Sequence, residues 1–200
     1  MSMILAVSVL VVTMATLLHA DETPHIALPE GEMGIRAVFA FDPEAAQHMR
    51  QLAHHTLYNN ESTLSRGERE LIATYVSYRN NCHFCYNIHG AAAAHLLHDT
   101  ALVEAVKKDY NTADISDKMK SLLAIADTVR EAGTSVTKNH TRNARDVGAT
   151  DREIYEAILI AAQFCMYNRL VSGLATPTPT DSVFYHDAGK RIAEHGYVRR

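Results

Sequence analysis

Two thiols and an imidazole fall within the run Asn80-Asn81-Cys82-His83-Phe84-Cys85-Tyr86-Asn87-Ile88-His89. The thiolate is the reactive form of cysteine, and a free thiol ionises only near ~8.5. Three features of this run favour ionisation. A helix capped by Asn81 puts Cys82 and Cys85 in its first turn, where the macrodipole stabilises an anion. His89 follows Cys85 by four residues, about one turn along the same face, so its ring can reach the sulfur. Within a C-x-x-C pair, one thiolate can also be held by the other thiol. Such a pair can attack the O–O bond of a peroxide, pass through a sulfenic acid and close a disulfide that a reductant reopens.

Other chemistries fit the same residues less well. A C-x-x-C with a nearby histidine can hold zinc, but a fourth ligand is then needed. At ~100° per residue, His95 lies about 240° and His98 about 180° around the helix from His89. A thioredoxin-like site requires a βαβ context that the sequence lacks. Two inert core cysteines are the bland alternative, and the Cys85–His89 spacing weighs against it. No cofactor and no resident metal are therefore expected. Cys165 lies in an apolar run and reads as a core cysteine. Asn168 and Arg169 follow it as a pocket or oligomer feature. His48, His54 and His55 share no pattern with cysteines or acids and read as surface or core-edge residues. On pattern alone Glu70 reads as solvated, since Thr74 and Ser77 share its helix face beside the apolar stripe.

The elements that must position this run are helical. The 200 residues are 47% hydrophobic, enough for one domain with a core. With a net charge of −4 and no Lys/Arg run, the chain is a poor match for nucleic acid. Three cysteines cannot build a disulfide framework. Asp42-Pro43-Glu44 starts a helix to about Tyr58, with Asp as N-cap and Pro at the first helical position. Ser65-Arg66-Gly67-Glu68 is a capping box opening a helix that stops at Asn80-Asn81. Cys85, Ile88, His89, Ala92 and Leu96 form one core-facing stripe beyond it. Further helices are expected from Asp99-Thr100 to about Asp109, from Ser116 to before Gly133, and over 138–147. Thr150-Asp151-Arg152-Glu153 is a second capping box. It opens a central helix from Ile154 to about Leu174, apolar almost all round from Ala157 to Tyr167. The two boxes hint at a degenerate internal helical repeat. Residues 21–41 read as an extended lead-in with Ile35 to Phe41 as a short apolar segment, and a short helix is expected near 187–195. The fold class is all-α, with no convincing strand pair.

Met3 to Leu18 is apolar apart from Ser8, Thr13 and Thr16, short for a bilayer span of ~20 residues but suited to an export signal. Residues 1–20 are thus expected to be an export signal ending at Ala20, or an N-terminal hydrophobic extension, and 21–200 a single domain. An exported, periplasmic location follows, with membrane-anchored and cytoplasmic locations as the alternatives.

Glu70, then Cys82-x-x-Cys85, then His89, resembles the signature of the AhpD-like alkyl hydroperoxidases, in the broader carboxymuconolactone decarboxylase superfamily. The stretches LSRGERELIATYVSYRNNCHFC and GATDREIYEAILIAAQFCMYNRLVSGLAT, with a tail ending in HGY, resemble its peroxidase-related branch. The resemblance runs from about Ile26 to Tyr197. It implies an all-helical, homo-oligomeric enzyme that reduces hydroperoxides in an antioxidant role. A dithiol or disulfide reductase would be its electron donor. It further implies that Cys85 attacks the peroxide, Cys82 resolves, and Glu70 and His89 relay the proton. One departure stands out: hydroperoxidases carry a histidine directly before the second cysteine, where this chain has Phe84, with His83 one place earlier. The decarboxylase branch does not need the cysteine pair. A thiol–disulfide oxidoreductase acting on proteins, or a metal-binding or structural oligomer, are the alternatives.

Overall fold

The computed structural model describes residues 23–198, so the expected leader over 1–20 lies outside the described residues. The regular structure among those residues is helical, with no strand. They comprise α1 (Ile35–Phe41), α2 (Pro43–Ala53), α3 (Arg66–Arg79), α4 (His83–Leu97), α5 (Thr100–Asp109), α6 (Asp117–Glu131), α7 (Lys138–Asp146), α8 (Asp151–Gly173) and α9 (Ser182–His195). None of them is long and apolar enough to cross a membrane.

Local chemistry sets most boundaries. The Asp42 carboxylate accepts from Ala45 N, with Pro43 opening α2. Both capping boxes form: Ser65 and Glu68 exchange hydrogen bonds at the start of α3, and Thr150 and Glu153 at the start of α8. Ser116 caps α6 and Asp99 caps α5. The helix expected to run from Pro43 to Tyr58 changes pitch at its end: His54–Tyr58 is a π-helical turn. Arg69, 1% exposed, donates to Thr56 O and Asn59 O and so ties that turn to α3.

Three expectations are corrected. Ile35–Phe41 is a helix, not extended chain, because Gly34 takes a left-handed φ of 55° and turns the lead-in into α1. Asn81 does not cap α4; its φ is 54°, and Cys82 is itself the N-cap, with α4 starting at His83. The tail helix begins at Ser182, capped by Asp181, and not near 187.

The main core joins α3, α5, α6 and α8 through residues such as Ile72, Val76, Leu122, Ile125, Ile160 and Phe164, each fully or almost fully buried. A smaller second cluster contains both cysteines, with Phe84, Ile88, Val171, Tyr185 and Ala188 around them. It exists because α4 packs against both α3 and α9. Gly189 makes the α4–α9 approach possible: a Cβ there would lie 2.5 Å from Ala91 Cβ and 2.7 Å from Ala92 N.

Candidate active site

The cysteines sit where three helices meet. Cys82 and Cys85 are both free thiols and both buried, at 1% and 4% exposure. The Cys85 thiol hydrogen-bonds Cys82, and Ser172 and Asn168 of α8 add bonds that favour the Cys82 anion. Together these outweigh burial and bring the Cys82 thiol down to about 7. Cys85 is pushed up well above an ordinary thiol by its hydrogen bond to Cys82, by burial and by the Cys82 charge. The shared hydrogen bond thus favours a single thiolate on the pair, and the Ser172 bond favours placing it on Cys82. Above pH ~7 that single thiolate is present, and it is lost as pH falls through that value. In a Cys165→Ser background, ultraviolet thiolate absorbance should therefore rise by one thiolate with a midpoint near 7. Two thiolates appearing together near ~8.5 would show that the two sulfurs do not interact.

Asn168, 2% exposed, ties this pair to α3. Its amide accepts from Asn80 Nδ2 at 2.9 Å and donates to Ser77 Oγ at 3.0 Å. Asn168 is therefore a buried polar residue that braces the thiol pair against α3, and it does not line the cavity. Arg169 is exposed and donates to Cys165 O in its own helix. Cys165 is half-buried against the main core and receives a long contact from Asn80 Nδ2.

One turn beyond Cys85, His89 Nδ1 lies 2.8 Å from Glu70 Oε2. Glu70 is 2% exposed, so the pattern reading of a solvated residue does not hold: its partners come from α4 and the C-terminal tail. The Tyr197 hydroxyl donates to Glu70 Oε1 and lies 3.3 Å from His89 Nδ1, its ring stacked on the imidazole at 15°. Both carboxylate oxygens are occupied as acceptors. Burial, then the Glu70 charge, pushes the Tyr197 phenol well above its ordinary range, so it remains an O–H donor. With Nδ1–H committed to the carboxylate, His89 presents a basic Nε2.

Tyr197 is the member of this group that spacing does not reveal. Its signal in the sequence is the HGY ending of the tail, which belongs to the resemblance but assigns the tyrosine no role. The tail is pinned by Tyr58 O–H donating to Glu194 O and by Arg66 donating to Ala193 O. Gly196 has φ 72°, and a Cβ there would lie 2.7 Å from His54 Nδ1, so the tail reaches Glu70 only with glycine at this place. His83 is exposed and pairs with the Tyr86 hydroxyl, away from the thiols. Phe84 is buried beneath Gly34 and against Phe184 and Tyr185.

Cys85 and His89, but not Cys82, line a cavity of about 880 Å³. Among the described residues no three His, Cys, Asp or Glu side chains converge as a metal-holding group.

The all-helical body, with a buried dithiol at the start of one helix beside a carboxylate–imidazole pair, has an AhpD-like fold. The carboxymuconolactone decarboxylase family model matches residues 43–97 and again 98–177. The chain belongs to that family, and the double match reflects the repeat-like arrangement of α2–α4 and α5–α8. No curated protein matches. Solved structures similar to this chain include these three. A peroxidase-related protein with an AhpD core from Ralstonia eutropha JMP134 is 22% identical at TM-score 0.70, covering 78% of this chain and 80% of its own. A peroxidase-related protein from Silicibacter sp. TM1040 is 28% identical at TM-score 0.69, covering 76% and 78%. A protein of unknown function from Agrobacterium tumefaciens, provisionally described as the antioxidant defence protein AhpD, is 20% identical at TM-score 0.64, covering 75% and 100%.

Proposed function

We propose that the protein is a thiol peroxidase that reduces alkyl hydroperoxides through a Cys82–Cys85 dithiol cycle, in an antioxidant role. The observation that carries this reading is that Cys85 faces the cavity beside His89 while Cys82 lies behind it. The proton on Cys85 moves to Cys82 or to His89 Nε2. The Cys85 thiolate attacks the terminal oxygen of the hydroperoxide and the O–O bond breaks. Cys85 becomes a sulfenic acid, and the alkoxide takes a proton and leaves as the alcohol. Cys82, as thiolate, then attacks Cys85 Sγ; the S–O bond breaks and the hydroxide leaves as water after taking a proton from solvent, the alcohol having taken the one that Cys85 gave up. An external dithiol or disulfide reductase reopens the disulfide. The sum is hydroperoxide plus dithiol giving alcohol, water and disulfide.

Glu70 fixes the His89 tautomer, and Tyr197 holds Glu70. Tyr197 is thus a positioning residue that adds a third polar group to a relay lacking a histidine at Phe84. Burial of both sulfurs disfavours the alternative of protein disulfide substrates, which must bring a sulfur into contact with the attacking thiolate. Exposed Tyr155 and Met166, eleven residues apart and so on one face of α8, suit the contact of a homo-oligomer.

Purified protein with tert-butyl hydroperoxide and dithiothreitol should form one alcohol per dithiol oxidised. No alcohol above the enzyme-free rate would remove the reading. Tyr197→Phe should lower kcat/KM about tenfold, the size of one charge-assisted hydrogen bond. It should also shift the pH profile of the rate, while the Cys82 thiolate titration stays in place.

A further inference from the structure

The phenylalanines of this chain gather round the cavity. Of the five, Phe39, Phe84, Phe164 and Phe184 line it, each from a different helix, and three tyrosines join them. Phenylalanine and tyrosine rings thus make up seven of its 22 lining residues, in a chain that is 7% aromatic. The main core is mostly aliphatic, with Phe164 as its one phenylalanine. Phe84 and Phe184 belong to the smaller cluster, and Phe39 packs into neither. The rings also differ in depth. Phe84 and Phe164 are 4% and 0% exposed, and Phe164 meets the His89 imidazole at 4.6 Å beside the thiol end. Phe39 and Phe184 are half-buried and keep ring surface open to the cavity. Phe39 carries the Arg50 guanidinium over its ring at 4.7 Å and has no aromatic partner among the described residues.

We propose that the site takes a hydroperoxide with an aromatic body, an aryl or fused-ring group bearing the O–OH on a side carbon, its rings against Phe39 and Phe184 and its peroxide at Cys85. This rests on the peroxidase reading for its chemistry, but not for its binding. A cavity of about 880 Å³ accepts a molecule of drug-like size, and a small peroxide leaves most of it unfilled. Any apolar body gains by leaving water. An aromatic one gains more here, because its quadrupole makes offset or edge-to-face contacts with the wall rings. Each such contact adds about two- to tenfold in affinity beyond the area buried. A rigid ring body also has fewer rotamers to lose on binding than a chain of equal carbon count. Arg36 is held by Glu32 at 2.8 Å, and Arg191 and Glu194 bring opposite charges from one helix, so recognition falls to the rings.

The test reads binding separately from turnover. Naphthyl dimethyl carbinol, the alcohol that such a hydroperoxide yields, and its decalyl counterpart share one carbon skeleton and one hydroxyl. In calorimetry on the full chain, the naphthyl alcohol should bind about tenfold tighter, although the saturated rings are the more hydrophobic. Phe39→Leu should lower that preference about threefold, and Phe39→Leu with Phe184→Leu should bring it to about one. Phe39→Tyr, which keeps the ring, should retain it. The far-ultraviolet helical signal checks that each variant is folded, and Phe39→Leu alone decides if the double variant is not. Equal or tighter binding of the decalyl alcohol, or a preference that survives loss of the rings in folded protein, overturns the assignment. In the coupled assay, the naphthyl hydroperoxide should exceed the decalyl one about tenfold in kcat/KM. Ring-selective binding with no reduction of either hydroperoxide keeps the binding site and sinks the peroxidase reading. Reduction of both at equal kcat/KM keeps the peroxidase and sinks the aromatic assignment.

Discussion

Cys85→Ser should bring hydroperoxide turnover down to the enzyme-free rate, whereas Cys82→Ser should complete one turnover and stop. The contrast follows from the different places of two sulfurs that share a proton. Cys85 lines the cavity, so its loss removes the only thiol of the pair that a hydroperoxide can meet there. Cys82 holds the resting charge, so the substitution leaves an attacking thiol without its resolving partner and without its proton acceptor across the pair. Single-turnover alcohol formation should be about one per chain in Cys82→Ser, slower than wild type, with a sulfenic acid that dimedone traps on Cys85. In Cys85→Ser neither alcohol nor adduct should form. The reverse pattern, an adduct on Cys82 in Cys85→Ser, would assign attack to the more acidic sulfur and require the pair to open toward the cavity.

Phe164→Ala should be among the most damaging single substitutions on α8, costing about 3 kcal/mol of the ~5–15 kcal/mol typical of a domain. The ring is 0% exposed at the middle of the longest helix. It meets the His89 imidazole edge-on at 4.6 Å and Tyr167 at 5.7 Å. Truncation removes a large apolar surface and leaves a hole that the surrounding helices can only partly close. Part of the ring also borders the cavity, which places the cost at the low end of the usual range for Phe→Ala. Urea unfolding should show a lower midpoint at unchanged slope. Phe164→Leu should recover most of the loss, costing about 1–1.5 kcal/mol. Because the ring also braces His89, the alanine variant should lose activity beyond its fraction unfolded. Full activity per folded molecule would mean that Glu70 and Tyr197 orient the imidazole without help.

The parts of this fold that are written locally are legible in the sequence. Asp42-Pro43, Ser65…Glu68, Ser116 and Thr150…Glu153 each satisfy backbone N–H groups within one turn of themselves, so their residues name the helix starts directly. The Cys85–His89 neighbourhood is legible for the same reason, being a consequence of helical pitch. Glu70 is not. On its own helix it sits beside hydroxyl side chains, and its burial depends on groups 19 and 127 positions away. Gly196 and Tyr197 stand in the HGY ending that the resemblance includes, but the contact with Glu70 exists only once the tail docks. At α1 and at Cys82 the ambiguity lies in one backbone angle. Gly34 and Asn81 both adopt left-handed φ values, and that decides where the next helix begins.

The hydrogen bonds that Ser172, Asn168 and Cys85 make to Cys82 also bear on the energy of electron flow. They favour an anion that exists only while the pair is reduced, and a disulfide has no such charge to hold. Whatever stabilises the reduced form raises the reduction potential of the couple, making its disulfide the more oxidising one. In the proposed cycle the disulfide is accordingly the higher-energy member of the couple. If the cycle runs as proposed, a mild dithiol should suffice to reset it.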